Sequence, residues 1–69
     1  MDLEPVDSSM IDAVGYDPET RQMAVQFKGG KTYTYHDVDQ SAHEAFVASD
    51  SIGKHFHQNV ASAYRWTAG

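Results

Sequence analysis

The sequence predicts an α+β fold, in which an antiparallel three-stranded meander sheet is followed by two helices packed on one of its faces. Two observations lead to this expectation. Over residues 22–28 and 31–36, apolar and aromatic residues alternate with polar ones at the period of two that is typical of half-buried strands, and residues 10–16 carry β-branched and aromatic residues. From residue 37 onward, apolar residues recur at helical spacing, and strands followed by helices are typical of a two-layer α+β domain.

The chain has 69 residues, which is enough for one domain with a modest core. We expect a flexible lead-in over residues 1–7, the single domain over residues 8–66 and a frayed tail over residues 67–69. The absence of cysteine excludes disulfides and thiolate metal sites. No apolar stretch approaches the roughly 20 residues that a membrane span needs. With no signal-peptide pattern at its start, the chain is expected in the cytoplasm.

The first two predicted strands are residues 10–16 and 22–28. The first carries β-branched and aromatic residues, and Pro18 directly after Asp17 indicates a turn behind it. The second alternates strictly between apolar and polar residues, which predicts one buried face. That face consists of Met23, Val25 and Phe27.

The third predicted strand, residues 31–36, forms a hairpin with the second, and the loop length decides where Tyr33 and Tyr35 point. A two-residue turn would mix both faces, whereas a three-residue loop with Gly30 left-handed in a bulge places the tyrosines opposite Val25 and Met23. We favour the three-residue loop because it leaves a uniformly polar outer face. In the alternative that stays open, the tyrosines form an exposed platform on which nucleic-acid bases stack.

Two helices are predicted, over residues 37–50 and 51–63. Asp37 is the expected N-cap of the first, with Gln40 completing a capping box. Asp50 or Ser51 is expected to cap the second. The residues expected to face inward from the second helix are Ile52, Phe56, Val60 and Ala63. The aromatic residues 64–66 indicate a short C-terminal edge strand or a tail packed on the sheet.

Read as an ordered set, these residues resemble the KTSC domain, a short module found at the C-terminus of some lysyl-tRNA synthetases and as a stand-alone bacterial or phage protein. The resemblance runs from Val6 to Tyr64. It rests on three groups: Ser8, Ser9, Ile11, Gly15, Tyr16 and Asp17; then Phe27, Gly30, Tyr33 and Tyr35; then Ser51, Gly53, Lys54 and Phe56. Asp39 and His57 depart from the family pattern, which favours proline and asparagine there. The resemblance implies no catalytic residues, and it implies RNA binding only by association with a synthetase.

The stretch DSIGK, residues 50–54, is the clearest candidate for an anion site. A helix N-terminus offers free N–H groups and partial positive charge, and Gly53 would let an oxyanion approach the backbone. Alternatively, Ser51 is only a cap and Gly53 lets the helix pack on Tyr33 or Tyr35. The complete set of candidate nucleic-acid or anion-binding residues is Lys28, Lys31, Ser51, Gly53, Lys54 and His57.

Charge favours a different class of partner. The chain carries ten acidic and five basic residues, a net charge of −5, and such a field repels phosphate. Asp37, Asp39 and Glu44 form a candidate acidic surface for a basic protein partner, as in a phage or prophage accessory protein acting on a host protein. We therefore keep two partner classes, RNA and protein, and expect a monomer or a weak dimer.

Catalytic and metal sites are not predicted. His55 and His57 lie two residues apart, so they do not share a helix face, and His36 and His43 bring no ligand at metal-binding spacing. No glycine-flanked nucleophile is present. The sequence thus predicts a non-enzymatic binding module without a cofactor.

Overall fold

The fold, taken from a computed structural model that describes residues 2–69, is a five-stranded antiparallel sheet with two helices on one face. The strands lie side by side in chain order. Their bounds are β1 Glu4–Pro5, β2 Ile11–Asp17, β3 Gln22–Phe27, β4 Thr32–Tyr35 and β5 Trp66–Ala68. The helices, α1 Gln40–Val47 and α2 Ile52–Asn59, connect β4 to β5. The α+β class and the order of sheet and helices are confirmed.

The three-stranded sheet is wrong, because a short strand joins each edge. Glu4 and Pro5, predicted to lie in the lead-in, pair with β2. The C-terminal edge strand, one of the two alternatives predicted for residues 64–66, forms as β5 at Trp66–Ala68, so Thr67 and Ala68, predicted to fray, pair with β4. Met1 lies outside the described residues. Such short edge strands are held by main-chain hydrogen bonds to a neighbouring strand. Their side chains therefore need not alternate between apolar and polar, and the sequence shows little of that pattern.

Proline is compatible with β1 because of where it sits in the hydrogen-bond ladder. The Val6 N–H donates to the Asp12 carbonyl at 3.0 Å. Hydrogen-bonded and non-hydrogen-bonded pairs alternate between antiparallel strands, so Pro5, opposite Ala13, occupies a non-hydrogen-bonded pair. Its nitrogen, which has no hydrogen to donate, therefore faces the outer edge of the sheet.

A β-bulge in β2 adjusts which side chains reach the core. Ile11 pairs with Phe27 and Ala13 with Gln26, so Asp12 is the extra residue. The bulge turns Ile11 and Val14 to the same face although they are three residues apart, and both are fully buried.

The hairpin between β3 and β4 has the predicted register. Val25 faces Tyr33 and Met23 faces Tyr35, and Gly30 has a φ of 94° in the loop. The Phe27 N–H donates to the Lys31 carbonyl at 2.8 Å. Tyr35 is only 4% exposed and Tyr33, which is half-buried, packs against the same core, so the two tyrosines do not form an exposed stacking platform.

Phe56 of α2 is the centre of the aromatic core. Its ring meets Phe27 and Tyr35 edge-on, with centroid distances of 5.3 and 5.7 Å, and lies 6.3 Å from Phe46 of α1. Deleting a buried phenylalanine costs about 3–5 kcal/mol, which is comparable with the total stability of a domain this small. This packing fixes α2 against the sheet, and with it the candidate site.

Both helices are shorter than predicted. Asp37 is not the N-cap of α1: it takes a φ of 60° as the chain leaves β4, a conformation that aspartate tolerates better than most residues, and the helix begins after Asp39. Ser51 is the N-cap of α2, which confirms one of the two predicted caps, Asp50 or Ser51. That helix ends at Asn59, so the predicted inward residue Ala63 lies in an exposed turn instead.

Candidate functional site

Two segments that are far apart in the sequence meet in one concavity of about 400 Å³ at the start of α2. One wall is the turn that leads into β2, with Ser8, Ser9 and Met10. The other is the start of α2 and the residues before it. This wall contributes four of the six predicted anion-binding residues: Ser51, Gly53, Lys54 and His57. We call this feature the serine concavity.

The Ser8 wall is held by local hydrogen bonds. The Ser8 Oγ accepts the N–H groups of Met10 and Ile11, both at 3.2 Å, and so turns the chain into β2. The Met10 carbonyl accepts the Lys28 N–H at 3.0 Å, which ties this wall to the end of β3.

Gly53 is a point of close approach between the two walls. A Cβ atom there would lie 3.6 Å from the Met10 Cε and 3.7 Å from the Ser8 Oγ. Gly53 therefore faces the Ser8–Met10 turn, and the alternative that it packs on Tyr33 or Tyr35 is wrong. Those distances are ordinary van der Waals contacts, so the packing between the walls would tolerate alanine at this position.

Within residues 2–69, no side chain caps the N-terminus of α2. Ser51 occupies the N-cap position, yet its hydroxyl makes no cap hydrogen bond there. The first N–H groups of the helix and the exposed Ser51 hydroxyl are consequently able to donate to an oxyanion. Asp7 and Asp50 also line the serine concavity, and their negative charge opposes an incoming anion.

Folding gathers the three lysines at one end of the sheet. Lys28 and Lys31 flank the tip of the β3–β4 hairpin, and the bond from Lys28 to Met10 places that tip beside the wall that faces Lys54. The two arginines lie at the opposite end. Arg21 is in the β2–β3 turn, and the Arg65 carbonyl accepts the N–H of His36 just after β4.

The predicted acidic surface does not form as one unit. Asp39 is paired with Arg21, and Asp37 lies in the loop between β4 and α1. Only Glu44 lines a larger groove of about 870 Å³ that runs between the N-terminal segment, β2 and α1. Four other carboxylates line this groove, which we call the acidic groove: Asp2, Glu4, Asp7 and Asp50.

Sequence reasoning missed the acidic groove. Its signal was visible in the three acids of the predicted lead-in, residues 2, 4 and 7. Their position relative to α1 depends on the pairing of β1 with β2, which the sequence did not reveal.

One wall of the acidic groove carries an aromatic pair. The rings of Tyr16 and His43 stack with centroids 4.6 Å apart and an 8° interplanar angle. The Tyr16 hydroxyl donates to the Val38 carbonyl at 2.5 Å, which fixes the tyrosine. Burial lowers the pKa of His43, and the nearby Glu44 partly opposes this effect.

The remaining histidines, His36, His55 and His57, have separate surroundings, and His57 lines the serine concavity. His36 makes a 3.0 Å hydrogen bond with the Thr67 Oγ1, and His55 packs against Phe46 with centroids 5.6 Å apart. Over residues 2–69, no group of three or more histidine, cysteine or acidic side chains is placed to hold a metal ion. Within the same range, no helix has the length and apolar character needed to cross a bilayer.

Comparison with known proteins identifies the same short module. The model of the KTSC domain family matches residues 7–64. A protein of Tsukamurella paurometabola is 36% identical over 66 residues, covering 96% of this chain and 98% of the relative. A protein of Stutzerimonas stutzeri is 39% identical over 51 residues, covering 74% and 72% of the two chains.

The fold has an experimental counterpart. The crystal structure of a KTSC domain protein from Yersinia pestis superposes with a TM-score of 0.93 at 33% sequence identity. The match covers 99% of this chain and 96% of that one.

Proposed function

This chain belongs to the KTSC domain family, and from that premise we propose that it is a small non-enzymatic module that binds RNA through phosphate groups held at the serine concavity. One observation carries the proposal. Residues that carried the family resemblance in two distant segments, Ser8 and Ser9 in one, Ser51, Gly53 and Lys54 in the other, line the same concavity. Their hydroxyl, ammonium and backbone N–H groups are the donors that phosphate oxygens accept.

The charge distribution sets the strength of this interaction. The three lysines at the hairpin end can neutralise about three phosphates, whereas Asp7 and Asp50 oppose them. For single strands the logarithm of the binding constant falls with the logarithm of salt concentration by about 0.7 per neutralised phosphate. We therefore expect weak, micromolar binding with a slope of about −2.

The test is a fluorescence-anisotropy titration of labelled single-stranded RNA and of tRNA at low (about 20 mM) and near-physiological (about 150 mM) salt. Binding at low salt that weakens with a slope near −2 supports the proposal. Absence of binding at low salt contradicts it.

Two charge variants locate the contact. Lys54→Gln removes a cation from the serine concavity, and Arg65→Gln removes one from the opposite end of the sheet. We expect the first to weaken binding and to reduce the salt slope by about 0.7, and the second to change neither. Equal losses in both variants would show that net charge alone governs the affinity.

Gly53→Ala provides a variant whose fold is retained. Alanine fits between the two walls and is favoured over glycine in a helix by up to about 1 kcal/mol, so stability should be unchanged or higher. A methyl group in front of the free N–H groups of α2 should nevertheless weaken RNA binding. Unchanged affinity in a stable Gly53→Ala protein would remove the backbone contact from the proposal.

A second candidate function is binding to a protein, such as a host protein bound by a phage or prophage accessory factor. The observation in its favour is the net charge of −5 together with the five carboxylates of the acidic groove. Such a surface attracts basic proteins and repels nucleic acid.

A further inference from the structure

The acidic groove combines an apolar floor with a negatively charged rim. Val14 and Ile52, at 1% and 6% exposure, close the floor from below, and its accessible apolar surface comes from the exposed Pro5 and the half-buried Val6. Val47 of α1 also lines the groove and is 39% exposed, which makes it one of three large apolar side chains exposed within residues 2–69. An exposed aliphatic side chain above an apolar floor offers surface that a partner could cover.

All five rim carboxylates are exposed: Asp2, Glu4, Asp7, Glu44 and Asp50. Among residues 2–69 the single ion pair joins Arg21 to Asp39, so none of the five has a cationic partner within that range. Across the same part of the chain, no lysine or arginine lines the groove. The rim therefore presents net negative charge around an apolar centre, with Lys54 near two of its carboxylates, Asp7 and Asp50, in the adjoining serine concavity.

We propose that the acidic groove binds a basic amphipathic segment of a partner protein, with lysines or arginines on the rim carboxylates and aliphatic side chains against Val47 and the floor. This inference rests on the second candidate function and names its surface and partner. Charge complementarity selects this occupant, because the rim repels nucleic acid and acidic peptides alike. The apolar floor favours a segment with aliphatic side chains over a purely basic one.

The probe is a labelled peptide of about twelve residues in which lysines flank two leucines, titrated into the full chain at low salt. Two comparison peptides separate the contributions: one replaces the leucines with serines, and the other replaces the lysines with glutamates. We expect micromolar binding of the first peptide, clearly weaker binding of the serine peptide and none of the glutamate peptide. Equal binding of the leucine and serine peptides would overturn the role of the floor, and with it the proposal.

Variants of the chain locate the contact. Glu44→Gln and Glu4→Gln on the rim should each weaken binding by about two- to fivefold, the range expected for one exposed charge pair. Val47→Ser should also weaken it. The matched control is Glu19→Gln, which removes the same charge from the β2–β3 turn, outside the groove, and should leave the affinity unchanged.

The possible failures can be told apart. Binding that is equally sensitive to Glu19→Gln and Glu44→Gln would overturn the groove but retain an interaction with basic proteins elsewhere on the surface. No binding of any basic peptide at low salt would remove the groove and the second candidate function together. Concentration-dependent self-association that Glu44→Gln abolishes would show that the occupant is another copy of this chain, contrary to the proposal.

Discussion

At the scale of single residues, Gly30 determines which face of the β3–β4 hairpin is buried. Its φ of 94° closes the three-residue loop and thereby sets Tyr35 opposite Met23. A methyl group added at Gly29 or at Gly30 would meet no atom of residues 2–69 within 4 Å, so backbone conformation alone distinguishes the two glycines. Of these two, only Gly30 has a positive φ.

Gly30→Ala should therefore destabilise the protein by about 1–2 kcal/mol, the cost of a left-handed backbone for an L-residue. Gly29→Ala is the matched control and should change the free energy of unfolding by less than about 0.5 kcal/mol. Urea denaturation of both variants measures the difference. Equal effects would show that strain at Gly30 is not what selects the loop.

His43 should make stability depend on pH. Because burial against Tyr16 lowers its pKa in the folded state, the unfolded chain binds a proton more readily. The stabilisation is fully present above the unfolded pKa of about 6.5 and is lost as pH falls from there through the lower folded-state pKa. Urea unfolding at several pH values between about 7.5 and 5.5 should show this decline.

The matched variants for this effect are His43→Gln and His57→Gln. The first should flatten the pH dependence in that range, whereas the second, at an exposed position on α2, should retain it. A pH profile that His43→Gln leaves unaltered would assign the dependence to other groups.

At the scale of elements, the sequence was sufficient wherever side-chain periodicity was strong. The central strands β2, β3 and β4, the register between β3 and β4, and the existence of both helices follow from residue type, alternation, loop length and helical spacing. The edge strand β1 does not, because backbone pairing with a neighbour determines it, and β5 was indicated as one of two alternatives but with its residues placed too early. The start of α1 was misplaced because Asp37, a good N-cap by type, is needed for the left-handed turn after β4.

The serine concavity and the acidic groove were likewise predictable only where local sequence patterns indicated them. Local chemistry indicated the segment around Ser51 and Lys54, but its contact with Ser8 and Met10 depends on how α2 packs on the sheet. The acidic groove required knowledge of β1, so it could not be predicted from local patterns.

The attachment of β5 can be tested with proline. The His36 N–H donates to the Arg65 carbonyl at 2.9 Å, and the Gly69 N–H donates to the Thr32 carbonyl at 2.8 Å. Because pairs alternate along the ladder, Thr67 lies in a hydrogen-bonded pair with Thr34. Thr67→Pro removes that bond and should detach β5. Ala68→Pro places the proline nitrogen at the open edge and should cost less stability.

Fluorescence provides the measurement, because Trp66 is the single tryptophan of the chain and lies edge-on to Tyr33 with centroids 5.2 Å apart. Detachment in Thr67→Pro should shift its emission to longer wavelength and lower the urea midpoint. An unchanged spectrum in Thr67→Pro would mean that β5 is held by something other than this ladder.

For the whole molecule, charge is segregated and largely uncompensated. The one ion pair within residues 2–69, Arg21 with Asp39, has side chains 50% and 68% exposed and contributes at most about 1 kcal/mol. Lysines lie at the hairpin end, while acids surround the groove between the N-terminal segment, β2 and α1. A chain with ten acids and five bases is therefore under net self-repulsion when folded.

Raising sodium chloride from about 10 to about 200 mM should consequently stabilise the fold, by up to about 1 kcal/mol, because added salt screens repulsion between exposed carboxylates. Urea unfolding at the two concentrations measures the change. A loss of stability on adding salt would mean that attractive pairs dominate the folded state.

The proline in β1 has a consequence for how copies of this protein can associate. One border of the sheet offers outward-facing amide donors at Trp66 and Ala68, whereas the other has none at Pro5. Two molecules could join through their open borders, but the resulting pair would end in a blocked border on each side. Growth into a continuous cross-β fibre would stop at two subunits.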